Sequence, residues 1–360
     1  MASSEMRGKV QTVLGPIEAV DLGVTLPHEH CLFDLSMWFR EPARSSERFR
    51  AYQPVTLETL GWVRYHPYNN RDNWVMLDEE IAIEEISRYR RFGGSSLVDM
   101  SNNGLGRDPE ALARISRATG LNIIMGSGYY LEPMWPAGLT QDKMVESIVR
   151  DITVGADGTG IRSGLIGEIG IERFGPDQPM TEGYLMALRA TAEAQKATGA
   201  PVNIHPGHSP DSPLEIIEYL EKHGADVTRV AISHIDRTVF DHGMRVELAK
   251  TGCYLEYDMF SFEGWHQVRH VLSEQNPIPV EVPNDAGRVA EIVALVNDGY
   301  IGQILISHDH CSKHRLMRWG GPGYAHILEN IVPLLRDRGL TEEQVRTLIV
   351  GNPKRFLQFV

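Results

Sequence analysis

Short apolar runs recur along the chain, near 22–28, 95–100, 122–126, 164–169, 201–206, 229–234, 252–257 and 303–309. Runs of this kind read as buried strands. Helical patterns lie between them. LDEEIAIEEISRYRRFG (77–93) sets Ile81, Ile86 and Tyr89 at helical spacing, with Gly93 as a stop. DPEALARISRATG opens on an Asp-Pro cap signal and ends at Gly120. TEGYLMALRATAEAQKATG runs from a Thr181 cap to Gly199, and DSPLEIIEYLEKHG ends at Gly224. EEQVRTLIVGNPKRFL predicts a last helix near the end of the sequence. Strands alternating with helices favour a parallel sheet in an α/β fold. Eight such strands match the (β/α)8 TIM barrel. No repeat, low-complexity tract or linker divides the sequence, so residues 1–360 are expected to form a single domain.

Two stretches exceed a plain barrel. VQTVLGPI, within residues 1–20, predicts a small hairpin closing one barrel end. Residues 34–77 form a long loop insertion after strand 1, rich in aromatic residues that include Trp38, Tyr68 and Trp74. A loop this long is usually functional or has structure of its own. Its aromatic residues are expected either to anchor the insertion on the barrel or to wall a pocket at the face where barrel active sites sit.

The ends of the apolar runs carry the chemistry. LGVTLP leads into His28-Glu29-His30, GLIG into Glu168, VNI into His205, VAIS into His234 and ILISH into Asp309. Residues i and i+2 of a strand share a face, so His28 and His30 can both point into the barrel mouth. One such pair is weak evidence, but five strand ends bearing ligand types converge if the strands are parallel and closed. The expected arrangement holds two divalent cations. His28, His30 and Asp309 would bind one, His205 and His234 the other, with Glu168 bridging. Imidazole and carboxylate suit zinc, with manganese, cobalt and iron as alternatives. A hydroxide between two cations would attack an electrophilic carbonyl or phosphorus centre, with Asp309 as its catalytic proton carrier. The neighbours of Asp309 should point away from the barrel axis, which makes His308 a supporting or packing residue. His208, in the loop HPGHSP, is a weaker candidate for touching substrate.

The formal charge of −13 disfavours nucleic acid and anionic membranes as partners and leaves a small-molecule substrate. No apolar run approaches the roughly 20 residues that span a bilayer. MASSEMRGKVQTVLG lacks a long apolar stretch, so no signal peptide is read. Cys31, Cys253 and Cys311 form no disulfide framework and are expected to pack as small apolar residues in a protein of the reducing cytoplasm.

With these motifs in hand, the chain resembles the phosphotriesterase family of the amidohydrolase superfamily, and within it the phosphotriesterase-related branch. The resemblance runs through GKVQTVLGPI (8–17), LPHEH (26–30), GADGTGIRSGLIGEIG (155–170), PVNIHPG (201–207), SHIDRT (233–238), GCYLEYD (252–258), SHDH (307–310), GGPGYAHIL (320–328) and GNPKRFL (351–357). It implies a barrel with two metals, often zinc, and a homodimer. The family's metal positions carry over to His28, His30, Glu168, His205, His234 and Asp309. Departures also show. Well-known members bridge the metals with a carboxylated lysine on the fourth strand, where GLIGEIG has only Glu168. A relay His after the seventh-strand Asp, and an Asp three residues after the sixth-strand His, are replaced by Met259 and Arg237. High phosphotriesterase activity is therefore not expected.

The leading expectation is hydrolysis of an ester, lactone or phosphotriester. The alternative is an amidohydrolase acting on an N-acyl amino acid or N-acyl taurine-like amide, motivated by Arg237. That cation either holds an anionic substrate group or forms a structural salt bridge with Asp236 or Asp258. Tyr129, Arg237 and Tyr257 are the expected substrate contacts. A deaminase would need a Glu shortly after His205, where Pro-Gly-His-Ser-Pro stands. A member that binds small molecules without catalysis is the remote alternative.

Overall fold

The computed structural model describes residues 6–173, 178–268 and 278–360. Eight strands form one parallel sheet: β1 (Thr25–Glu29), β2 (Ser96–Asp99), β3 (Asn122–Ser127), β4 (Leu165–Gly170), β5 (Val202–His205), β6 (Val230–Ile232), β7 (Tyr254–Tyr257) and β8 (Ile304–Ile306). Each pairs with the next in chain order. All eight fall on the apolar runs. The seam between β8 and β1 is joined by side chains. Ser307 Oγ donates to the His28 carbonyl at 2.7 Å and accepts the His28 N–H at 3.2 Å. The Glu29 carboxylate accepts the N–H groups of His308 and His310, each at 3.0 Å. The sheet is thereby nearly closed into the expected barrel.

Alternation along the strands sorts side chains between the barrel interior and the helices outside it. On β7, Tyr254 packs with Val10, Leu22, Val98, Ile124, Leu165 and Phe356, whereas Leu255 and Tyr257 join the outer cluster with helix residues such as Leu248 and Ile292. A hairpin, Lys9–Thr12 with Gly15–Glu18, supplies Val10 to the inner cluster, and the helix Asn352–Leu357 supplies Phe356. The N-terminal hairpin thus lies where the sequence placed it.

Local chemistry sets the helices. Asp78 caps Glu79–Arg91 by accepting from the N–H groups of Glu80 and Ile81. Asp108 caps Pro109–Thr119, which ends at left-handed Gly120. Thr181 and Gly199 bound Glu182–Thr198 in the same way. Helices at Gln141–Thr153, His242–Lys250 and Asp285–Asn297, as well as a strand pair Gly264–Val268 with Ile278–Val282, were not singled out from the sequence. The insertion has structure of its own. It contains a helix, Leu57–Tyr65, and a short strand pairing in which Phe33 meets Met76. Lys313 to Asp72 (2.6 Å), and the N–H and Nδ1 of His314 to Asn73 Oδ1 (3.0 and 2.9 Å), bind it to the loop after β8.

Candidate metal centre

The six ligand-type residues meet at the C-terminal mouth of the barrel, and all are buried. They form two clusters. His28, His30 and Asp309 place ligand atoms within 4.8 Å of one another, with His30 Nε2 3.2 Å and His28 Nε2 3.7 Å from Asp309 Oδ1. In the other, Glu168 Oε1 lies 3.0 Å from His205 Nδ1 and 2.9 Å from His234 Nε2, and those nitrogens are 3.0 Å apart. Glu168 also faces the first cluster, with His28 Nε2 at 3.9 Å. A cation about 2.0–2.1 Å from each of three donors requires donors roughly 3 Å apart, which is the spacing of the second cluster.

The surroundings fit a metal. His28 is fully buried, and its Nε2 has no hydrogen-bond partner. Its Nδ1 is held by Glu256 and Asp258, each at 3.1 Å. An imidazole gripped on one nitrogen by a carboxylate and bare on the other is the arrangement of a metal-ligating histidine. His234 is gripped in the same way, with Nδ1 2.7 Å from Asp258, while its Nε2 faces Glu168, and His30 Nδ1 rests 3.0 Å from Ser101 Oγ. His234 and Asp309 also have left-handed backbones, at φ 55° and 51°. Such strain in non-glycine residues collects at functional sites, because the surroundings hold the chain there.

Charge is concentrated here. Burial opposes ionisation of Glu168, but His28 and His205 hold its carboxyl well below the usual range. Burial likewise opposes Asp309, and the hydrogen bond from His30 with the charge of His28 lowers it. Burial would push His234 down, but the Asp258 carboxylate and its hydrogen bonds raise the imidazole to about 9. His28 is raised well above its ordinary value, burial again being outweighed by Asp258 and Glu168.

A second histidine group, Glu29 with His308 and His310, has ligand spacing, but two of its three members are committed elsewhere. His308 Nδ1 pairs with Glu29 at 2.6 Å, and its Nε2 accepts the Ile327 N–H at 3.1 Å. Both ring nitrogens of His308 are used, and Glu29 ties the barrel seam. His308 is thus the supporting residue that strand alternation indicated.

A cavity of about 80 Å³ opens beside the clusters. The insertion supplies Leu35, Trp38, Tyr68 and Trp74 to its wall, with Met259 and Phe262 from the loop after β7. Tyr130, His208, Arg237 and Arg315 add polar groups. Of the three substrate contacts expected from sequence, Arg237 lines this cavity, while Tyr129 and Tyr257 are not among its lining residues. The reason for Tyr257 is parity. Glu256 and Asp258 point inward to His28, so Tyr257 points outward into the cluster shared with the helices. Tyr130, next to Tyr129, faces the site, its hydroxyl 3.4 Å from His205 Nδ1.

Arg237 is only 8 % exposed. Its guanidinium donates to the Gly207 carbonyl at 2.8 Å and lies near Thr238 Oγ1 and His205 Nε2, both at 3.4 Å. The two acids that would make it structural are occupied: Asp236 pairs with Arg288 at 2.6 Å, and Asp258 with the histidines. Among the described residues no carboxylate forms an ion pair with Arg237. Behind the cavity, Glu172 holds His208 Nδ1 at 3.0 Å. Burial and the charge of Arg237 push His208 down to about 4. Glu172, Glu256, Asp258 and Ser101 were not assigned a supporting role from sequence. The inward pair 256/258 in GCYLEYD was the available signal for two of them.

Comparison with known proteins adds to this picture. The model of the phosphotriesterase family matches residues 8–357. The N-acetyltaurine hydrolase of Xenopus tropicalis is 41 % identical over 99 % of both chains, and that of Salmo salar 40 % identical over 99 % of both. Among solved structures, a resiniferatoxin-binding protein from Rhodobacter sphaeroides is similar with a TM-score of 0.90 at 35 % identity, covering 98 % of this chain and 96 % of that one.

Proposed function

Since the chain belongs to the phosphotriesterase family, we propose that it is a metal-dependent amidohydrolase cleaving a short N-acyl amide that carries a fixed negative charge, of the N-acetyltaurine kind. The sequence reading put esters, lactones and phosphotriesters first and this amide second. We reverse the order on one observation: a buried guanidinium lines the cavity without a carboxylate partner among the described residues. A buried charge of this kind calls for a counter-charge, and a sulfonate or carboxylate on the substrate supplies it. Two relatives at about 40 % identity bear the name N-acetyltaurine hydrolase, which agrees.

His28, His30 and Asp309 would hold one divalent cation and His205 and His234 the other, with Glu168 between them. When bound, such cations supply Lewis-acid polarisation of the acyl oxygen and lower the pKa of water. The chain's own residues do the rest. Arg237 fixes the anionic end of the substrate. Trp38, Tyr68, Trp74, Met259 and Phe262 keep bulk water from the acyl end. Asp309, held ionised by His30 and His28, takes a proton from the attacking water and passes it to the amide nitrogen, which leaves as the amine when the C–N bond breaks. The test is a hydrolysis panel on metal-loaded protein: N-acyl amino sulfonates, N-acyl amino acids, lactones, aryl esters and phosphotriesters. Anionic N-acyl amides should have the highest kcat/KM. A higher value for a neutral lactone would restore the ester reading.

A further inference from the structure

Asp258 stands behind both halves of the centre. It is fully buried, just past the end of β7 and two residues beyond Glu256, so that both turn inward. One oxygen lies 3.1 Å from His28 Nδ1 and the other 2.7 Å from His234 Nδ1. The carboxylate also accepts the His234 backbone N–H at 3.0 Å. His28 belongs to the cluster with His30 and Asp309, and His234 to the cluster with His205. Both rings turn Nε2 forward to Glu168, at 3.9 and 2.9 Å. One carboxylate therefore grips an imidazole of each cluster from behind, while another faces both from the front. The neighbouring groups are one-sided. Glu256 reaches His28 at 3.1 Å, and the same oxygen accepts from Asn203 (2.6 Å) and Ser233 (3.0 Å). Ser101 reaches only His30 among the six.

We propose that Asp258 is a positioning residue shared by the two metal half-sites, so that one side chain sets the affinity of both cations. Holding Nδ1–H fixes the tautomer that leaves the Nε2 lone pair for a metal, and it fixes the plane of the ring. For His234 it also anchors a left-handed backbone, φ 55°, through the bond to its N–H. Two separate acids would let each half-site be tuned alone; a single acid links them. The proposal rests on the metal-binding reading and not on the choice of substrate.

The test is metal uptake. Metal-free protein is equilibrated with chelator-buffered Zn²⁺, and bound zinc per chain is measured by elemental analysis. Wild type should fill in two steps, and Ser101→Ala marks the step that involves His30. Asp258→Asn should weaken both steps, each by about 10–100-fold. Glu256→Gln should weaken only the step that Ser101→Ala weakens. A shift in one step alone for Asp258→Asn, or in neither, overturns the proposal. So does a shift of both steps in Glu256→Gln, which would mean that the barrel mouth had simply loosened. Circular dichroism of the metal-free variants checks folding. If Asp258→Asn fails to fold, Asp258→Glu keeps the charge, displaces it by one methylene, and should give the same two-step weakening. Wild-type protein that binds fewer than two zinc ions would sink the shared-site proposal whatever the substrate panel shows.

Discussion

Replacing Arg237 with methionine removes a charge while keeping most of the side chain's length. A guanidinium and an anion about 4 Å apart attract by about 4 kcal/mol at an effective dielectric near 20. Arg237 is 8 % exposed, so solvent screening is slight. Set against this, the guanidinium is already spending a bond on the Gly207 carbonyl. A net loss of about 3–4 kcal/mol in transition-state binding is therefore expected, roughly 10²–10³ in kcat/KM. The same substitution leaves the Gly207 carbonyl with the longer bond from the Thr238 hydroxyl, 3.3 Å, and can disturb the loop, so an internal control is essential. N-acetyltaurine should be assayed beside a neutral amide of the same size in which a methyl sulfone replaces the sulfonate. Only the charged substrate should suffer the full loss, and the neutral one should change by less than about fivefold, the scale of one modest hydrogen bond. Arg237→Lys should recover part of the activity on the charged substrate, because charge is retained and the forked geometry lost. Equal losses on both substrates would show that Arg237 only holds the loop, and the case for an anionic substrate would fall.

Glu168→Gln keeps the shape of the side chain but removes the carboxylate between the clusters. It should lower zinc content and abolish most activity, and full activity at full occupancy would rule out a bridging role. Metal uptake should depend on pH. The metal-free His234 imidazole, held at about 9, stabilises the metal-free fold below its unfolded value near 6.5 and loses that contribution as pH rises through about 9. A cation must displace this proton, so affinity should climb by up to about tenfold per pH unit for each proton released, then level off above about 9. Competition titrations between roughly pH 6 and 9 would show it, and a flat response would refute it. Gly207 has φ +77°, and a Cβ there would lie 2.5 Å from the Arg173 backbone nitrogen. Gly207→Ala should cost about 2 kcal/mol or more, seen as a lower melting temperature. An unchanged melting temperature would contradict it.

Much of this site could be read from residue order because strand ends are where period and chemistry coincide. An apolar run followed by His or Glu says both that a strand exists and that its last side chain faces the mouth. His28, Glu168, His205, His234 and Asp309 were legible for that reason, and His30 followed from the two-residue repeat. What supports them was less legible. Asp258 and Glu256 share a face with the same repeat, but only the folded barrel sets them against His28, more than 200 residues away in the chain. Ser101 and Glu172 lie just past strand ends, where the backbone leaves its regular period. Tyr257 shows the opposite failure: being at a strand end does not decide which face a side chain takes, and its inward neighbours decided it. The aromatic insertion announced itself by length and composition. That Leu35, Trp38, Tyr68 and Trp74 wall the cavity depends on the clamp of Asp72 and Asn73 on Lys313 and His314, a pairing across some 240 positions that no local pattern carries.

The electrostatics of the mouth bear on why cations and an anionic substrate belong together. Glu168, Asp258 and Asp309 are held ionised despite burial by the surrounding histidines, with His28 acting on all three, joined by His205 at Glu168, His234 at Asp258 and His30 at Asp309, and the imidazoles of His28 and His234 are raised in return. In the metal-free protein, protons on His28 and His234 therefore offset two of these three negative charges. Two divalent cations would bring four positive charges against these three carboxylates, and the hydroxide they would supply takes up the one left over. Arg237, on the cavity side and without a carboxylate ion pair among the described residues, is the positive charge that remains. An anionic substrate entering this cavity neutralises an excess that neither a lactone nor a neutral ester can. The same surplus should make sulfate or free taurine a weak competitive inhibitor of the metal-loaded protein, and less so of Arg237→Met. Inhibition that is unaffected by the substitution would place the anion elsewhere.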